Sequence, residues 1–214
     1  MRGLKPGTTR DMFTRAVSED TVEELLHYFE PKAGDVIALP PGLVHAIGKG
    51  LIVAEVQQNS DVTLRIYDYK RKGLDGVPRK LHVKEALAAI RFDGPGDEFE
   101  GDMARDTIDV SVAAKSGPLG DELLTGRYFD LNRITLPSHS LSTYLPEGET
   151  EYPILDLKFP KDPARPKVLM VLNGEGEISG CEVKTGVTGL IPATSQGISI
   201  RSNGPMTLLL ATPK

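Results

Sequence analysis

Cysteine occurs once in this chain, at Cys181, which excludes an intramolecular disulfide and any metal site built wholly of thiolates. Histidine is scarce: His27, His45, His82 and His139 complete the set. Basic residues do not predominate either. Lys and Arg number 25 against 30 Asp and Glu, a formal net charge of −5. A general nucleic-acid-binding surface is therefore not expected, because neutralising phosphates needs a basic face. No hydrophobic run approaches the roughly 20 residues that span a bilayer, and Met1-Arg2-Gly3 leads into no signal-type apolar segment. The expectation is a soluble, cytoplasmic protein without nucleic-acid or membrane partners. Its 214 residues suffice for one large domain or two small ones; the oligomeric state is left open.

The 22 glycines and 16 prolines imply many turns. Three stretches read as helix. Thr9 can cap an amphipathic turn through Met12, Phe13 and Val17. Thr21 can cap a second, with Glu24 at the capping-box position and Val22, Leu25, Leu26 and Phe29 on one side. The third runs from Val83 to Ile90, with Ala86 and Leu87 completing the helical spacing. Elsewhere short β-runs alternate with turns: Asp35–Leu39, Leu51–Gln57, Thr63–Tyr69, Tyr128–Leu136, Lys167–Asn173, Val187–Ile191, Gly197–Arg201 and Met206–Ala211. Many short strands without alternating long helices favour a sandwich or barrel. The composition shifts around Phe92–Gly101 (FDGPGDEFEG), a plausible boundary between two β-rich units.

The stretch from 34 to 71 carries most of the functional signal. Pro40, Pro41 and Gly42 make a tight turn that delivers Val44 and His45. Glu55, Gln57, Asn59, Asp61, Thr63 and Arg65 then share one parity, with Ala54, Val56, Val62, Leu64 and Ile66 on the other. If the segment is extended, one face carries all six polar side chains. That face is either a solvated exterior or the polar wall of a small barrel's cavity, where ligands commonly bind. Alternation does not choose between them.

The same residues carry a resemblance. Pro41-Gly42 with His45-Ala46, Gly48 and Gly50, then Glu55, Gln57-Gln58, Ser60-Asp61, Thr63, Arg65, Asp68-Tyr69 and Arg71, resembles the signature of the type I mannose-6-phosphate isomerases. It extends forward through Leu81–Ala86 and backward through Thr21–Phe29 and Pro31–Asp35. More loosely it reaches Leu172–Gly176 and Ile191–Ala193. The resemblance implies a mainly β protein of cupin-type jelly-roll units with a few short helices, the first barrel incomplete. Residues 1–90 would be the C-terminal part of the catalytic cupin domain, and 91–214 a C-terminal β-sandwich of jelly-roll type.

It also implies zinc as cofactor, held in the family by the Gln and His of a Gln-x-His segment, a Glu, and the His of the Pro-x-Gly-x-x-His turn. Only the last has a counterpart here, His45. The expectation is that the family's N-terminal portion, with the other three ligands, lies upstream of residue 1. One imidazole makes no zinc site, which wants three or four protein ligands. The implied reaction interconverts mannose 6-phosphate and fructose 6-phosphate by proton transfer through an enediol. It needs a base, an oxyanion stabiliser and a phosphate anchor. The resemblance puts Arg65 in that active site and offers Glu55 and Asp61 for proton transfer or hydroxyl binding. His45, Glu55 and Arg65 are expected to face one concavity. The alternative is a non-catalytic cupin-type module that binds a sugar phosphate or a partner protein.

Other signals are weaker. His27, His82 and His139 have no ligand-like spacing, and Gly174-Glu175-Gly176 fits a hairpin turn better than a dinucleotide fingerprint. Cys181 has no basic neighbour in sequence to activate it. Arg127 and Arg133 are expected to face water, and Lys70-Arg71-Lys72 to form a solvated loop.

Overall fold

The computed structural model describes residues 1–60, 62–69, 71–92, 115–117, 120–137, 154–159 and 164–214. The chain divides into two compact units, Met1–Val110 and Ser111–Lys214. Most of the stretch expected to mark a boundary, from residue 93 onward, lies outside the described residues.

In the first unit, α1 (Arg10–Glu19) begins where the Thr9 hydroxyl accepts a hydrogen bond from the Met12 amide. It turns Phe13 and Ala16 into the core and ends at Asp20, whose φ of 63° is left-handed. The helix expected from Thr21 through Phe29 is only one 3-10 turn, Val22–Leu25, and the Thr21 side chain makes no cap. Tertiary pairing stops it. Leu26 turns extended and bridges Leu4, while Lys5 and Arg2 donate their amides to the carbonyls of Leu25 and His27. His27 accordingly sits in extended chain, not helix. The third helix forms as expected, as α2 (Val83–Ala89). Phe13, Ala16, Val22, Leu26 and Ile90 make the buried cluster of this unit.

The three strands expected here do not form. Asp35–Leu39, Leu51–Gln57 and Thr63–Tyr69 join no ladder among the described residues. The β-pairing described in this unit consists of isolated bridges, Arg2 with His45, Leu4 with Leu26 and Lys72 with Pro78. Strand propensity needs a strand alongside to act upon, and among the described residues these segments have no ladder partner.

The second unit holds ten antiparallel strands among its described residues: β1 (Lys115–Gly117), β2 (Gly120–Thr125), β3 (Phe129–Leu136), β4 (Ile154–Lys158), β5 (Lys167–Asn173), β6 (Glu175–Ile178), β7 (Cys181–Lys184), β8 (Thr188–Ile191), β9 (Gly197–Ser202) and β10 (Met206–Pro213). They form a six-stranded sheet, β1-β2-β3-β10-β5-β8, and a four-stranded sheet, β4-β9-β6-β7. Alternate residues of both sheets meet in one core. Met206, Leu208 and Leu210 of β10 are fully buried there, facing Ile198 and Ile200 of β9. The five strands expected in this half are present with ends shifted by at most two residues. Gly174, at φ +93°, turns β5 into β6. The fold is thus mainly β, built of antiparallel sheets with few helices. Among the described residues no helix is long and apolar enough to cross a membrane.

Candidate active site

The turn before His45 is fixed from two sides. Leu43 donates its amide to Pro40, and Arg91 donates to the carbonyl of Gly42. Gly42 has a φ of +82°, and a Cβ there would stand 2.6 Å from the Ala89 carbonyl oxygen, so only glycine fits. The segment beyond is held by the N-terminus: the Met1 ammonium donates to the Ala46 carbonyl at 2.9 Å, and Gly3 donates to Val44 at 2.7 Å. His45 itself is exposed. Its Nδ1 lies 2.9 Å from the Leu43 carbonyl oxygen, which can only accept, so the proton sits on Nδ1. With Nδ1 facing that carbonyl, Nε2 is the ring nitrogen that can turn a lone pair to a metal.

Arg65 is anchored through its backbone. His82 donates its amide to the Arg65 carbonyl at 2.7 Å, and Arg65 donates its own amide to His82 Nδ1 at 3.2 Å. The guanidinium Nη1 reaches the Lys80 carbonyl at 3.3 Å. His82 is the residue that precedes α2, so the helix start sets where Arg65 lies. This role was not legible in the histidine spacing.

Next to Arg65 the sequence reading missed a second feature. Asp68 is buried and receives two arginines, Arg79 through Nε (2.7 Å) and Nη2, and Arg71 through Nη2 at 3.0 Å. Hydrogen bonding from Arg79, then from Arg71, holds its carboxyl below the usual carboxylate range despite burial. Arg71 and Lys72 are exposed, as expected of a solvated loop, but the Arg71 guanidinium is held on Asp68. The Asp68-x-x-Arg71 spacing was the available signal; Arg79 had none. Tyr67 donates its hydroxyl to Glu23 at 3.1 Å, and desolvation with that contact pushes the phenol up to about 12.

Glu55 is exposed, Arg65 is half-buried, and Asp61 lies outside the described residues, as does His139. Among the described residues no hydrogen bond or ion pair joins His45, Glu55 and Arg65. Among the described residues no group of three or more His, Cys, Asp or Glu is placed to hold a metal. His45 is thus a lone donor, and the described residues do not fit a zinc ion. The open depression of about 570 Å³ in this unit lies elsewhere, among Gly7, Thr8, Thr9, Arg10, Ile90 and Phe92.

No family model matches the chain. The antiparallel sheets match a solved fold: the crystal structure of the mannose 6-phosphate isomerase from Bacillus subtilis aligns over 98% of this chain and 59% of its own, with TM-score 0.74 and 22% identity. The protein is therefore of the cupin-type β class. By sequence it is 45% identical over 83 residues to mannose-6-phosphate isomerase ManA of Bacillus subtilis (strain 168), covering 39% of this chain and 26% of that protein. YvyI of the same organism, provisionally named a mannose-6-phosphate isomerase, is 30% identical over 193 residues, covering 88% of this chain and 52% of its own. This chain is a relative of the mannose-6-phosphate isomerases. It spans from about a quarter to about half the length of the curated relatives it matches.

Proposed function

We propose that the first unit carries part of the active site of an aldose–ketose isomerase acting on mannose 6-phosphate and fructose 6-phosphate. The observation that supports this most is the fixation of Arg65, whose amide, carbonyl and guanidinium are all engaged by residues 80–82. A guanidinium held this way costs little reorganisation when charge develops beside it. In the reaction a base takes the proton from C2 of the aldose and returns it to C1, while a second proton passes from the C2 hydroxyl to the C1 carbonyl oxygen, so that C1 ends as a CH2OH group and C2 as the ketone. Negative charge gathers on the enediolate oxygens in between, and Arg65 stabilises it. Glu55 and Asp61 are the carboxylates available for the proton transfer. The single cysteine accords with a cytoplasmic location.

Zinc is the metal the family resemblance implies, and residues 1–214 supply one of its four ligands, His45. No step is assigned to it here. We expect these residues alone to bind no stoichiometric zinc and to turn over negligibly. Elemental analysis and an isomerase assay on the purified chain test this. About one tightly held zinc per chain together with turnover would overturn the expectation. Joining an upstream segment bearing the Gln-x-His and Glu ligands should restore both properties. In that joined form His45→Ala should abolish metal binding. Arg65→Ala should keep the metal and lower kcat roughly 10²- to 10³-fold. A joined form that binds zinc and mannose 6-phosphate without converting it would favour the binding-module alternative.

A further inference from the structure

The inward face of the six-stranded sheet changes character along its length. At one end β3, β10 and β5 present Leu136, Met206 and Val171, all in the core. At the other, the same alternation presents Asp130, Thr212 and Lys167. Asp130 and Thr212 are register partners. One step beyond the Ala211–Val168 pair, antiparallel register sets Lys167 on the other side of Thr212. A polar row therefore closes this end of the inward face, with Asn132 the next inward residue of β3.

That row is under-satisfied. Among the described residues Thr212 Oγ1 is buried without a hydrogen-bond partner. Asp130 Oδ1 has Lys214 Nζ at 2.9 Å as an ion-pair neighbour, although not aligned as a hydrogen bond. Lys167 is only 4% exposed. Its ammonium gives one hydrogen bond, to the Arg165 carbonyl at 3.1 Å, and lies 4.3 Å from the centre of the Phe159 ring. Among the described residues no carboxylate pairs with it. Desolvation and the nearby Arg165 charge hold its pKa below the ordinary lysine value. A buried ammonium with N–H groups to spare is costly unless something accepts from them. With Lys167, Lys214 and Arg165 against Asp130, the local charge favours an acceptor that is an anion.

We propose that this end of the second unit binds a small oxyanion, a phosphate or carboxylate group, held by the Lys167 ammonium and the Thr212 hydroxyl. The site is separate from the isomerase reading and uses none of its residues.

The test is titration of the full chain with inorganic phosphate and, separately, with acetate, followed by amide NMR shifts and calorimetry. Perturbation centred on Lys167 and Thr212 is expected. Lys167→Met, which keeps the length and removes the charge, should weaken binding roughly 10- to 100-fold, and Thr212→Val up to about tenfold. Lys167→Met should also lose the anion-dependent rise in Tm beyond the general salting effect that any protein shows. Stronger binding of phosphate identifies a phosphate ligand, and stronger binding of acetate a carboxylate. Shifts confined to Arg65 and His82 would overturn the proposal while leaving the isomerase reading intact. Binding unchanged by either variant, or none at tens of millimolar, would overturn it too. Should Lys167→Met not fold, Thr212→Val and the wild-type shift map decide alone.

Discussion

Leu51–Gln57 (LIVAEVQ) and Lys167–Asn173 (KVLMVLN) look alike on paper, both short, β-branched and bounded by turns. The second is β5, laced between β10 and β8, with Leu169 and Val171 buried. The first joins no ladder among the described residues; Ile52 is fully exposed and Val53 more than half so. The difference lies in the neighbours each segment finds, since β-propensity measures fit to a pleated, half-buried surface. The second unit closes its sheets around one core. The first rests on two helices, a 3-10 turn and a cluster of five buried residues.

The contrast should appear most strongly in hydrogen exchange. Amides of 168–171 should exchange at least about a thousandfold more slowly than those of 51–57, because ladder amides open only with much of the sheet. Equal protection would mean that the first unit holds pairings in solution beyond those described. Core truncation comes next. Leu208→Ala should cost about 2–5 kcal/mol by urea denaturation, whereas Ile52→Ala should stay within about 0.5 kcal/mol. A large cost at Ile52 would break the comparison outright. Thr9→Ala removes the cap of α1 and should cost about 1 kcal/mol, with Thr9→Ser near neutral. The smallest effect depends on pH. Arg79 and Arg71 depress the folded-state carboxyl of Asp68. Its contribution is thus complete above the unfolded carboxylate value and is lost as pH falls through the lowered one. Wild type and Asp68→Asn should differ at neutral pH and converge in strong acid, which stability curves against pH would reveal.

How much was legible depended on how local the cause was. The Thr9 cap, the spacing of Val83, Ala86, Leu87 and Ile90, the alternation in β9 and the short apolar run in β10 are short-range patterns, and each produced the expected element. The polar parity from Glu55 to Arg65 was equally clear, but the strand it assumed needed a partner that parity cannot supply. Glu175–Ile178 and Cys181–Lys184 were passed over for the opposite reason. Glycine, glutamate and a turn give them weak propensity, yet β9 and their own hairpin pair them.

Residue identity alone therefore determined the lone cysteine, the mainly β character and the run of motif residues around His45 and Arg65 that marks kinship with the mannose-6-phosphate isomerases. Tertiary structure decided the rest. It set which apolar runs became strands, placed His82 against the backbone of Arg65, brought Arg79 onto Asp68, and put Lys167 inside the second sandwich. Each of these depends on contacts between residues distant in sequence or on which face of a sheet is closed, and a strand or a buried charge takes its energy from the neighbours that surround it.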